Sequence, residues 1–278
     1  MSAVDVWSPE RRWESESGVV AYGLLGSGPP VVLVHGTPSS SYLWRHVAHA
    51  LAPSHTVHLY DLPGYGSSEM SEGQDVSLGA QGRVLRALLE HWDLERPTIV
   101  AHDFGGATTL RAHLLECCEF ERIVLLDPVA LAPWGSPFFR LVREHVEVFQ
   151  QLPAAIHEAV VTAYRRGAFH RAMSEAQLAP YVAPWLGDIG QRAFYRQIQQ
   201  ADQRFTDEIE PLYGEIRAPV HILWGADDAW IPPETAARLQ WRIPGSTLRL
   251  IESAGHFLQE DAPAAVSEAI LEVLERGG

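Results

Sequence analysis

Cysteine is almost missing from this 278-residue chain: there are two, adjacent at Cys117 and Cys118. They fall on an expected helix, and sequence neighbours rarely bridge, so a disulfide scaffold is excluded and a reducing, cytoplasmic setting is expected. Without ligand partners at metal-binding spacing they point to no metal. Positive charge is also short. Arg and Lys number 21 against 35 Asp and Glu, a formal net charge of −14, which disfavours nucleic acid and anionic membranes as partners. No apolar run approaches the ~18 residues of a membrane span. The start, Met1 to Asp5, lacks the basic and apolar regions of a secretory signal.

What is present is a steady alternation of strand-like and helix-like segments. Residues 19–25 and 31–34 read as strands separated by the Gly-Pro turn 26–30, and 56–60 and 99–102 follow the same pattern. Helices are expected over about 41–51 and over 76–92, where Val84, Leu85, Leu88, Leu89 and Trp92 recur at helical spacing. A further buried strand covers 123–126. This order implies an α/β fold with a mostly parallel central sheet and helices on both faces. The length accommodates one large domain with an insertion.

From Pro128 to about Glu215 the strands stop and the pattern becomes helical and aromatic. Strands resume at 220–224 and 247–251, with helices at 235–241 and 263–274. The chain is therefore divided into a core, 1–128 and 216–278, and an inserted helical cap, 129–215, over the carboxyl ends of the strands, where ligands bind in open α/β sheets. Most cap aromatics are core by composition; Trp134, Tyr164, Tyr181, Trp185 and Tyr195 are the candidates to reach a ligand.

One stretch carries chemistry. In Ile99-Val100-Ala101-His102-Asp103-Phe104-Gly105-Gly106 an apolar strand turns into a helix with an acid at the bend. Small neighbours allow such a bend, and the helix start favours an anion there. The layout is a nucleophile elbow with aspartate where serine is usual. A helix-capping aspartate is the plainer alternative. Two further groups follow strands in the order nucleophile, acid, base: an acid in Gly225-Ala226-Asp227-Asp228, and His256 in Gly255-His256. Asp127 closes the 123–126 strand. Arg45, Arg111 and His102 are nearby polar residues with packing or solvent-facing roles expected, although His102 is placed to support the elbow.

These residues, with His35-Gly36-Thr37-Pro38, the segment Ser40 to Arg45 and the loop Asp61 to Ser68, resemble the aspartate-nucleophile branch of the α/β-hydrolase fold, which holds epoxide hydrolases, haloalkane dehalogenases and haloacetate dehalogenases. The resemblance spans the core and is weak over the cap. It implies that Asp103 attacks a saturated carbon and forms an alkyl ester, which His256, supported by Asp228 rather than Asp227, hydrolyses by activating water, with Asp127 the alternative acid because some dehalogenases place theirs there. The amides of Thr37 and Phe104 are then the implied oxyanion hole. Haloalkane dehalogenases hold halide with an Asn in the His-Gly-Asn loop and a Trp after the nucleophile; here those positions are Thr37 and Phe104. Haloacetate dehalogenases have an Arg after the nucleophile, again replaced by Phe104. Epoxide hydrolases have the His-Gly-x-Pro loop and two cap tyrosines. Epoxide hydrolysis is therefore the first expectation and dehalogenation the alternative; a non-hydrolytic lyase, oxygenase or ligand-binding member of the fold is the reading from another class. The expected partners are a small apolar electrophile and water, without cofactor, metal, nucleic acid or membrane. A homo-oligomer is compatible with the sequence.

Overall fold

The computed structural model describes residues 9–275. Eight strands form one sheet: β1 (Arg11–Ser15), β2 (Gly18–Leu25), β3 (Pro30–Val34), β4 (Thr56–Tyr60), β5 (Thr98–His102), β6 (Arg122–Leu126), β7 (Val220–Gly225) and β8 (Thr247–Ile251). Their spatial order is β1-β2-β4-β3-β5-β6-β7-β8. From β4 onward every pairing is parallel, while β1 and β2 are antiparallel additions at one edge. This is the α/β-hydrolase fold, with the mostly parallel sheet expected from the alternation.

The apolar runs of the central strands are continuous because both faces are covered. Side chains alternate across a strand, so each run divides between two cores. Val32, Val34, Ile99, Ala101, Ile123 and Leu125 pack in one cluster with the helix α2 (Leu78–His91) and α3 (Phe104–Leu115). Val31, Leu33, Val100, Val124 and Leu126 pack on the opposite face with α1 (Arg45–Leu51) and the carboxyl-terminal helix Pro263–Glu275.

Local details differ from the sequence reading in physically simple ways. The helix expected from residue 41 opens as a 3₁₀ turn, Ser41–Trp44, whose Ser41 amide donates to Asp61 Oδ1 and whose Tyr42 amide donates to the Ser40 hydroxyl. The helix expected from residue 76 starts at Leu78, because Ser77 Oγ accepts the Ala80 amide as an N-cap. Cys117 and Cys118 lie beyond the end of α3; both are free thiols, the first exposed and the second buried. Strand β1 was not expected, since Arg11, Arg12 and Glu14 put charge in a short edge strand.

Between β6 and β7 the described chain has no strand. It forms α4 (Pro137–Glu144), α5 (Val146–Phe149), α6 (Ala154–Arg166), α7 (Glu175–Val182), α8 (Gly187–Gln200) and α9 (Arg204–Asp207). This segment reaches the loops that leave the carboxyl ends of the strands: Gln197 accepts from Thr37 Oγ1 at 2.6 Å, and Arg165 donates to the Pro38 carbonyl at 2.6 Å. Helix α10 (Glu234–Arg242) joins β7 to β8, and α11 (Leu258–Asp261) and α12 (Pro263–Glu275) complete the chain. Among the described residues no helix is long and apolar enough to cross a membrane.

Candidate active site

Strand β5 ends at His102 and α3 begins at Phe104, so a single residue makes the turn. Asp103 adopts φ 51 and ψ −118, a conformation that a residue with a side chain occupies only under constraint from its surroundings. The constraint is visible on both sides. The Asp103 carbonyl accepts from the amides of Gly106 at 2.9 Å and Val129 at 3.1 Å. A Cβ on Gly105 would overlap the Val34 carbonyl oxygen, and one on Gly36 would overlap the Asp103 carboxylate itself. The small residues flanking the bend are thus required by close approach of β3, β5 and α3.

The carboxylate has two differently occupied oxygens. Oδ1 accepts the Thr37 amide at 2.6 Å, and the Phe104 amide also donates to the carboxylate. Oδ2 lies 3.3 Å from His256 Nε2, close but not aligned as a hydrogen bond. His256 Nδ1 lies 2.8 Å from Asp228 Oδ2, and Asp228 Oδ1 accepts the amides of Trp230 and Ile231 at 2.7 and 3.0 Å. Since a carboxylate only accepts, Nδ1 carries the proton and Nε2 faces Asp103. The loop after β8 is held from behind: the His256 carbonyl accepts His102 Nε2 at 2.8 Å.

Electrostatics follow from this packing. Burial disfavours the Asp103 anion, but His256 and the Phe104 amide outweigh it and bring the carboxyl below its usual range. Burial likewise disfavours the His256 imidazolium, yet Asp228 and Asp103 on either side hold its pKa well above the ordinary histidine value. His102, fully buried beside it, is pushed down to about 3 and stays neutral. Asp127, the alternative acid, does not bond the imidazole. Its Oδ1 accepts the Gly225 amide at 2.9 Å, and burial with Asp228 nearby raises its pKa well above the carboxylate range. His102, Asp127 and His256 bring potential ligand atoms within 4.8 Å of one another, all buried. His256 already directs both ring nitrogens at carboxylates, which marks a hydrogen-bonded polar cluster rather than a metal centre.

Asp103 opens onto a small cavity of about 40 Å³. Its walls are the rings of Phe104, Trp134, Phe139, Tyr164 and Trp230 with Val129 and Ile231; the polar lining is Thr37, Asp103 and Ser136. Of the five aromatic candidates from the sequence, Trp134 and Tyr164 line this cavity and three do not. Tyr181 donates to Glu260 in a buried cluster with Arg45. The Tyr195 hydroxyl lies 2.9 Å from His157 Nδ1, and Trp185 packs against Phe194. All three are fixed by polar or aromatic partners elsewhere in the fold. Trp134 turns its indole N–H to Thr206 Oγ1 at 2.8 Å, so only its ring reaches the cavity. Tyr164 shares a hydrogen bond with Ser136, and burial raises its phenol pKa, so the proton stays on.

Four contributors were not singled out from the sequence: Ser136, Phe139, Trp230 and Arg165. Trp230 is two residues past Asp228, a position that proximity to the acid could have flagged. Arg165 gave no signal, because only the tertiary fold brings α6 against the Pro38 carbonyl.

The sequence profile of the alpha/beta hydrolase fold family matches residues 29–263. A crystal structure of an alpha/beta hydrolase fold protein from Burkholderia ambifaria is similar to this chain with a TM-score of 0.93 and 47% identity, covering 96% of this chain and 98% of that one. Haloalkane dehalogenase 2 of Mycobacterium tuberculosis is 27% identical over 284 residues, covering 95% of this chain and 94% of its own length. A 2-hydroxy-6-oxononadienedioate/2-hydroxy-6-oxononatrienedioate hydrolase of Cupriavidus pinatubonensis is 24% identical, covering 88% and 86% respectively.

Proposed function

The chain belongs to the alpha/beta hydrolase fold family, and from that premise we propose that it hydrolyses a small apolar electrophile through an ester on Asp103, with an epoxide as the substrate class. The observation that carries this reading is the carboxylate at the bend: Oδ1 accepts the Thr37 amide, the Phe104 amide also donates to the carboxylate, and Oδ2 faces His256. Oδ2 attacks a ring carbon, forming the C–O ester bond as the epoxide C–O bond breaks and its electron pair moves to the leaving oxygen. Tyr164, the one phenol lining the cavity, gives that oxygen a proton. Once the ester has removed the Asp103 charge, His256 passes its proton through solvent to the Tyr164 phenolate; the neutral imidazole then takes a proton from water, and the hydroxide attacks the carbonyl carbon of the ester. The resulting oxyanion develops on Oδ1, where the Thr37 amide already points, and its collapse releases the diol and the carboxylate. His256 is left protonated and Tyr164 again carries its proton, as in the free protein. In this reading the helical segment 129–215 is the cap, and Asp228 orients and supports the imidazole.

The lining supports an oxygen leaving group over a halide. Phe104 has no donor, the Trp134 N–H is spent on Thr206, and the chain contains no asparagine to supply the second halide contact. No Arg or Lys lines the cavity, which disfavours a haloacid. Haloalkane dehalogenation is kept as a second reading because of the 27% identity to haloalkane dehalogenase 2; it uses the same ester chemistry.

The two are separated by intact-mass measurement of the His256→Gln variant after incubation with terminal epoxides and with haloalkanes. An adduct with the epoxides alone is expected, and it is lost in Asp103→Asn. An adduct with haloalkanes alone selects the second reading. No adduct with either panel, together with an inert wild type, overturns the ester mechanism.

A further inference from the structure

The Trp230 indole, which lines the cavity, packs against two further rings. The Trp230 indole lies 4.5 Å from the Tyr164 ring at 23°, a parallel stack, and 5.1 Å from the His256 imidazole at 32°. The Trp230 backbone is fixed independently, its amide donating to Asp228 Oδ1 at 2.7 Å. Asp228 therefore holds the imidazole with one oxygen and the start of the indole with the other. The Trp230 Nε1 edge is directed toward Gly167, at the end of α6, so it is the π-face and not the N–H that meets its neighbours.

We propose that Trp230 is the positioning residue that joins the two halves of the reaction, its indole holding the His256 imidazole on one side and the Tyr164 phenol on the other. The claim rests on the reading of His256 as base and Tyr164 as proton donor. The face of an indole attracts a cation, so the stack favours the imidazolium that forms when water is deprotonated. It also limits rotation of both rings, keeping the base on the ester and the phenol over the leaving oxygen. The other groups facing His256 are Asp228 from the loop after β7, Asp103 from the elbow, His102 from β5 and Asp127 from the end of β6. Arg165 lies beyond the Phe257 ring on the far side, its guanidinium carbon 4.2 Å from that ring. None of these offers an uncharged ring in contact with both the imidazole and the phenol; Trp230 does, stacked on Tyr164 and tilted by 32° on His256.

The test compares Trp230→Phe and Trp230→Leu with the wild type, after thermal unfolding has shown each to be folded. Titration of His256 by NMR in the free protein needs no substrate. It is expected to show the apparent pKa lowered by about half to one unit in Trp230→Leu, and by less in Trp230→Phe, which keeps a π-face. Breakdown of the Asp103 adduct slows about tenfold in Trp230→Leu and recovers in part in Trp230→Phe, with KM nearly unchanged. A folded Trp230→Leu with wild-type titration and wild-type adduct lifetime overturns the proposal. Should the leucine variant not fold, biosynthetic fluorination of tryptophan weakens the π-face at constant shape. A His256 pKa unchanged by fluorination then overturns the proposal equally. If no substrate forms an adduct, the ester reading fails, while the titration still decides the stack.

Discussion

Asp103 and His256 set each other's charge across 3.3 Å. In the free protein the imidazole is held charged by two carboxylates, which suits neutralising the nucleophile's surroundings but not accepting a proton. In the proposed reaction, esterification removes the Asp103 charge and leaves only Asp228, so the imidazole becomes easier to deprotonate at the step that needs a base. The expected outcome is that adduct breakdown, followed by rapid quench across pH, rises through an apparent pKa below that of His256 in the free protein. Coincident values would contradict the coupling. The same pair has a stability consequence. The folded pKa of His256 lies above its unfolded value near 6.5, so this contribution is complete below about 6.5 and is lost as pH rises through the folded pKa. Asp103→Asn removes part of that elevation. Urea unfolding of this variant is expected to show a smaller decline in stability on going from pH 6 to alkaline pH than the wild type shows.

The elbow is an element defined by what its neighbours lack. Gly105 presses against the Val34 and His35 carbonyls, and Gly106 against Pro128. Backbone cannot yield as a flexible side chain can, so Gly105→Ala is expected to lose about 3 kcal/mol or more, measured by chemical denaturation. A loss below 1 kcal/mol would mean that β3 and α3 separate easily. These glycines also explain what could be read from sequence. The strand-acid-helix pattern at 99–111, the acid and histidine loops and the buried parallel strands are local in character, and each is legible in a short window. The helical segment is different. Tyr164, Tyr181 and Tyr195 are alike as letters, and each lies in a helix, yet one lines the cavity while two are bound to Glu260 and His157. Which way a ring points is settled by contacts between helices distant in sequence, and so it was not legible. Strand β1 escaped for another reason: its charged residues lie on an edge that water covers.

For the whole molecule the question is what keeps the helical segment seated on the sheet, since the cavity lies between them. Part of the answer is a buried cluster that joins three elements. Arg45 of α1 pairs with Glu260 of α11, and Tyr181 of α7 donates to the same carboxylate and accepts from Arg45. Arg45 and Glu260 are 8% and 1% exposed, so neither charge is compensated by bulk water. A buried pair is weak evidence of net stabilisation, because desolvation opposes the attraction, but removing one partner leaves the other charge stranded. Glu260→Gln keeps the shape and one acceptor while deleting the charge. It is expected to destabilise by roughly 3 kcal/mol, read by chemical denaturation, and the double change Arg45→Met with Glu260→Met should recover part of that loss. Tyr181 is remote from Asp103 in this network, so adduct formation at a temperature where Glu260→Gln remains folded should proceed near the wild-type rate. A variant of wild-type stability would show that the seam is held by its apolar contacts, Phe169, Tyr181 and Phe257 among them, and that the ion pair is dispensable.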